Sequence, residues 1–171
     1  FGLRHSFGLY LVPVSEYLNT GRELFSFASA LNVLMIGIGS PLFGALSDKY
    51  GSGKASILGI ILVIISLFWM ANVEGAFSII GSQTLFGLGS AGCGTAVVLG
   101  AVGRSVHSTN RTLSLGIVMA AGSFGQFIMV PSISYLIEIF GWSYSLFLLS
   151  FVASIMIIFS FFLIFYFFYQ L

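Results

Sequence analysis

Charge is what this sequence has least of: its 171 residues are 6% Asp, Glu, Lys and Arg, against 58% apolar. A water-soluble domain holds about 25% charged residues, so this composition excludes an ordinary soluble globular domain. The few charges also leave long gaps. None lies between Glu23 and Asp48, between Glu74 and Arg104, or between Arg111 and Glu138. The tract from Lys54 to Glu74 is equally clean, and nothing after Glu138 is charged. Each gap is near or above the roughly 20 residues that cross a bilayer as a helix. Membrane strands would need about 10 residues of alternating polarity, and none runs through 57–65 or 155–169. The spans are helices.

Other scarcities exclude further classes. Cys93 is the single cysteine, so there is no intramolecular disulfide and no multi-cysteine zinc site. It lies among small residues, Gly89–Gly94, and reads as a packing residue. No basic stripe points to nucleic acid. No metal-ligand cluster, nucleophile–base pair or paired carboxylates point to catalysis, so neither an enzyme nor a bound cofactor or metal is expected. No linker is long enough to divide the chain, and residues 1–171 read as one bundle. The chain opens at Phe1 inside an apolar stretch, which reads as an incomplete first helix.

What is present is a series of apolar segments: a partial first helix at about 3–18, then helices near 24–46, 55–73, 76–103, 112–137 and 142–168. The short connections hold the turn residues, such as Asn19-Thr20-Gly21 and Asn72–Gly75. Lys49, Lys54, Arg104 and Arg111 lie on one set of loops. Arg22 faces them from the other set, beside Glu23, Glu74 and Glu138. Basic loops stay inside, so the first set is expected in the cytoplasm, together with the N-terminus and the C-terminal end. The expected location is the cell (inner) membrane. Helices three and six are rich in Ile, Leu and Phe and read as peripheral, facing lipid. Helices two, four and five carry glycines with interspersed Ser, Asn and Gln, and read as packed or cavity-lining.

An internal repeat is visible. Pro41-Leu42-Phe43-Gly44-Ala45-Leu46-Ser47-Asp48-Lys49-Tyr50-Gly51 returns as Pro131-Ser132-Ile133-Ser134-Tyr135-Leu136-Ile137-Glu138-Ile139-Phe140-Gly141. Proline, leucine, acid, aromatic and glycine recur at one constant offset. One copy ends helix two and the other ends helix five, on opposite membrane faces. That is an inverted three-plus-three repeat, as secondary transporters have. Lys49 and Lys54 on the inside become Ile139 and Tyr144 on the outside.

The segment Gly44-Ala45-Leu46-Ser47-Asp48-Lys49-Tyr50-Gly51-Ser52-Gly53-Lys54 resembles the signature loop between helices two and three of the major facilitator superfamily. Gly44 would remove a side chain where helices cross, and Gly51 and Gly53 allow a sharp turn. The resemblance implies a gating motif of Gly44, Asp48, Lys49, Gly51 and Lys54, with Asp48 holding the cytoplasmic gate through charge and helix-dipole contacts. It is not a phosphate loop, because Asp48 stands where the first glycine would be. The stretches 2–10, 21–25 and 120–126 look like a bacterial branch related to monocarboxylate and oxalate–formate transporters. Two positions depart from the family. Gln83 stands where many proton-coupled members have an arginine, and Met129 replaces a later glycine of the helix-five antiporter pattern.

Arg4 is the one charge within a helix core, about 20 Å from the outer end of helix one at 1.5 Å per residue. An intramembrane arginine is costly and functional by default, and its fork suits a carboxylate. The competing reading is that Arg4 snorkels to the cytoplasmic interface. His5 beside it is a proton carrier or a hydrogen-bonded packing residue. Asn32, Gln83 and Gln126 are amides on helices two, four and five, whose ordinary role is interhelical hydrogen bonding. Gln126, between glycines and small residues, best suits a cavity wall. The expected substrate-binding residues are therefore Arg4, Gln126 and Asn32.

The fold expected is an all-α polytopic bundle of about six transmembrane helices, resembling the N-terminal half of a twelve-helix transporter. The expected function is secondary transport of a small organic anion such as a monocarboxylate by alternating access. Its partners would be membrane lipid, a small-molecule solute and a C-terminal transmembrane half, with no nucleic acid. The alternative is a six-helix membrane scaffold or a homodimerising half-transporter.

Overall fold

The computed structural model describes residues 2–168, which form helices and no strand. Helix one is built in three pieces: α-helix Gly2–His5, a 3-10 stretch Ser6–Tyr10, and α-helix Leu11–Tyr17. Helix two runs Arg22–Tyr50 and helix three Ser52–Ala71. Helix four comes in two parts, Ala76–Gly92 and Thr95–Ser105. A 3-10 turn at Ser108–Asn110 leads to helix five, Arg111–Phe140, and then helix six, Trp142–Phe168. Helices two to six are each long and apolar enough to cross a membrane.

Helix four corrects the expectation of one continuous helix over 76–103. The chain ends its first part at Cys93 and is extended at Gly94, at φ −83° and ψ −174°. Apolar patterning runs straight through this break. What stops the helix is the run Gly92-Cys93-Gly94, in which glycine costs up to about 1 kcal/mol per residue relative to alanine and offers no side chain to pack.

Helix three corrects a second expectation. It is not peripheral: Ile60, Val63, Leu67 and Met70 are buried in the core, and helices two, four and six all pack against it. Gly59 faces Gly89 and Gly92, where a Cβ on Gly59 would come 2.8 Å from their backbones. Bulky apolar residues pack a bundle centre as well as they face acyl chains, so composition alone does not separate the two. Helix six keeps an outer face, with Phe151 and Ile158 exposed and Leu146, Leu149 and Ala153 buried. Helix five is the open one. Ile133 is its buried residue, while Leu113, Ile117, Phe124 and Phe127 are exposed.

Two buried contacts help to hold helix one. The Phe7 ring packs against Phe86 of helix four, tilted by 59° with centroids 4.3 Å apart. The Tyr10 hydroxyl shares a hydrogen bond with Ser145 Oγ of helix six at 2.8 Å.

The repeat seen in sequence has a common backbone. Both helices run through their prolines, Pro41 and Pro131. Both end at a glycine of positive φ, 92° at Gly51 and 81° at Gly141. In each copy the glycine N–H donates to a carbonyl four residues back, Ser47 or Ile137, at 3.0 Å. The two copies sit at opposite ends of the bundle, as an inverted repeat requires. The end of helix four meets the loop after helix two, whereas the end of helix one meets the start of helix six.

Candidate functional site

At the end that carries Lys49 and Lys54, Arg104 reaches from the last turn of helix four to the loop between helices two and three. Its Nη1 donates to Asp48 Oδ1 at 2.5 Å. Its Nη2 donates to Ser47 Oγ at 3.0 Å and Ser52 Oγ at 2.7 Å. Ser47 and Ser52 are themselves hydrogen-bonded at 2.9 Å across the Gly51 turn. One guanidinium thus clasps the last turn of helix two to the first turn of helix three. Arg104, Ser47 and Ser52 were not among the gating residues expected from sequence. The partner of Asp48 lies 56 residues away, and nothing local marks it.

The remaining motif residues are placed differently. Lys49 stands 5.2 Å from the centroid of the Tyr50 ring, and Lys54 is exposed. Gly51 supplies the positive-φ turn. Gly44 does not sit at a helix crossing within this chain: a Cβ there would meet nothing within 4 Å. Its open face lies on the same helix as exposed Val33, Leu34 and Leu42.

Arg4 lies on the first turn of helix one, exposed, at the wall of a cavity of about 320 Å³. Helices one, two, three, four and six line it, through Ser40, Ser56, Ser90, Thr95 and Ser160 among others. Ala91, Cys93 and Gly94 line it as well, so the break in helix four opens onto this space. Where the helix restarts at Thr95, its first-turn N–H groups have no intrahelical partner. Arg4 has no acidic partner among the described residues.

The structure does not gather the other two candidate binders around Arg4. Asn32 is buried, and its Nδ2 donates to Gln83 Oε1 of helix four at 2.9 Å. Gln83 is buried too and turns its Nε2 toward Met70 Sδ at 3.7 Å. This amide pair ties helix two to helix four. Gln126 is half-buried on helix five and does not line the Arg4 cavity.

Known proteins resemble the chain over most of its length. Residues 2–169 match the family model described as Major Facilitator Superfamily. Monocarboxylate transporter 11 of Mus musculus is 28% identical over 154 residues, covering 87% of this chain and 33% of that protein. Its Homo sapiens counterpart is 29% identical over 157 residues, covering 87% and 31%. A Danio rerio protein named "Probable vesicular acetylcholine transporter-B" is 27% identical over 118 residues, covering 69% and 23%. The chain spans about a third of the length of the monocarboxylate transporters it matches.

Proposed function

The chain belongs to the major facilitator superfamily, and we propose that it forms the first of two bundles of a secondary transporter for a small organic anion. In this reading a second bundle covers the open faces of helices two and five, and transport proceeds by alternating access. Both faces leave open space beside Gly37, Gly44 and Gly116, and small residues let another helix approach closely. Lys49, Lys54, Arg104 and Arg111 face the cytoplasm, with Glu23, Glu74 and Glu138 outside. The reading is transport rather than catalysis, and names of two relatives refer to monocarboxylates.

The observation that carries the substrate class is Arg4 at the wall of a largely apolar cavity that Ser40, Ser56, Ser90, Thr95, Ser160 and the broken helix four also line. A guanidinium offers two parallel donors to a carboxylate. The positive end of the restarted helix shares that wall. The Asp48–Arg104 clasp is then one of the contacts that hold the cytoplasmic side closed.

The test is a substitution series at Arg4 in the full-length transporter, with uptake and binding of lactate measured at matched expression. A charge-assisted hydrogen bond contributes about 1.5–3 kcal/mol, or roughly tenfold to more than a hundredfold in affinity. Arg4→Gln should lose that much, and Arg4→Lys should fall between it and wild type because the charge stays and the fork is lost. Equal affinity in all three would mean that Arg4 only snorkels to the interface.

A further inference from the structure

At the end of the bundle opposite Lys49 and Arg104, a recess of about 410 Å³ opens between the end of helix one and the two loops beside it. Its walls hold four aromatic residues, Tyr17, Phe140, Trp142 and Tyr144, together with Glu74. The Tyr17 and Trp142 rings lie 5.2 Å apart and are tilted by 57°, forming a corner rather than a stack. Tyr144 and Phe140 are more than half exposed, so their rings are not consumed by packing. Glu74 has no basic partner among the described residues. Glu16, Glu23 and Glu138 are the other acids at this end of the bundle, against Arg22 alone.

From this geometry we infer that the recess binds a small organic ammonium group. The negative face of an aromatic ring attracts a weakly hydrated cation, and several rings with one carboxylate form a cage for it. The volume admits a trimethylammonium head with room for its stem. A neutral or anionic solute gains nothing from Glu74, and a strongly hydrated sodium ion gains little from the rings. Ammonium of this kind has two sources at a membrane surface: a free solute, or the headgroup of a zwitterionic lipid. This site is separate from the Arg4 cavity, shares no lining residue with it, and does not depend on the anion reading.

The experiment places the full-length transporter in nanodiscs and follows the part of its tryptophan emission that a Trp142→Phe variant loses. The probes are choline chloride, its neutral isostere 3,3-dimethyl-1-butanol, and sodium chloride as the ionic-strength control. Choline should change the emission saturably while the other two do not. Glu74→Gln should weaken choline about two- to fivefold, as loss of an exposed charge partner does. Tyr144→Ala should weaken it by a similar factor, as loss of one exposed ring does. In phosphatidylglycerol nanodiscs the response should be full. In phosphatidylcholine nanodiscs a reduced choline response identifies the lipid headgroup as the occupant, and an undiminished one identifies a free solute. Equal responses to choline and its neutral isostere, or choline binding untouched by both Glu74→Gln and Tyr144→Ala, would overturn the inference and leave the rings as an interfacial aromatic belt.

Discussion

At the end of helix two, Asp48 and Ser52 are held by Arg104, which arrives from the end of helix four. At the corresponding place on the other membrane face, Trp142 occupies the repeat position of Ser52, and its ring meets Tyr17 at the end of helix one. Glu138 repeats Asp48, yet it is exposed and has no basic partner among the described residues. Where Arg104 stands in one copy, buried Val14 stands in the other. Equivalent elements of the two copies are therefore joined in two ways, once by an ionic clasp and once by an aromatic one. The difference follows the surroundings. An exposed ion pair is weak and reopens easily, which would suit a contact that breaks in the proposed transport cycle. Aromatic rings with polar tips suit the headgroup layer.

The largest expected effect tests what the copies share. Gly51 and Gly141 both occupy positive-φ, extended-ψ backbone, at ψ 146° and 164°. Residues other than glycine pay about 1–3 kcal/mol there. Gly51→Ala and Gly141→Ala should therefore each destabilise the chain by that amount, to similar extents, in thermal unfolding of the detergent-solubilised protein. A loss confined to one variant would mean that the repeat is a resemblance of sequence without a common backbone.

A smaller effect tests what the copies do not share. Trp142→Ala should cost about 0.5–1.5 kcal/mol beyond its lost area, the worth of an aromatic pair, and the cost should not change between low and high sodium chloride. A salt-dependent loss would indicate that Trp142 acts through a neighbouring charge such as Glu74, and the contrast between an ionic and an aromatic clasp would fail.

The shared half of this comparison was legible in the sequence and the contrasting half was not. Proline, acid, aromatic and glycine at a constant offset gave both turns, because a chain that must reverse with positive φ needs glycine at that position. The spans were legible from charge gaps alone. The clasps were not, because Arg104 with Asp48 and Trp142 with Tyr17 are contacts between distant parts of the chain. Arg104 carried only a topological meaning until helix four was packed. Helix three was misread for a related reason: Ile60, Val63 and Leu67 look the same whether they face lipid or a bundle centre. The break at Cys93–Gly94 was hidden because glycines in a membrane segment also mark close packing of a continuous helix. Asn32 and Gln83 were each recognised as amides that bond between helices, but their pairing with one another required the fold.

The smallest expected effect on stability belongs to the ionic clasp, and it discriminates most sharply about function. Asp48 and Arg104 expose 68% and 42% of their side chains, so solvent screens the pair and its net worth is about 0.2–1 kcal/mol. At 1 M salt the screening length is about 3 Å, and the coupling should shrink further. A double-mutant cycle of Asp48→Asn and Arg104→Gln should therefore show little coupling in unfolding, and less in high salt. Folding and insertion should be near normal in Asp48→Asn. Transport responds differently, because a conformational equilibrium near balance is shifted about fivefold by 1 kcal/mol. We expect Asp48→Asn in the full-length transporter to reduce uptake several-fold at normal expression, with Arg104→Gln reducing it at least as much, since Ser47 and Ser52 lose their donor too. The double variant should be no worse than Arg104→Gln alone. Normal uptake by Asp48→Asn would reduce the loop to a turn that merely connects two helices, and additive losses would mean that the two residues act on separate steps.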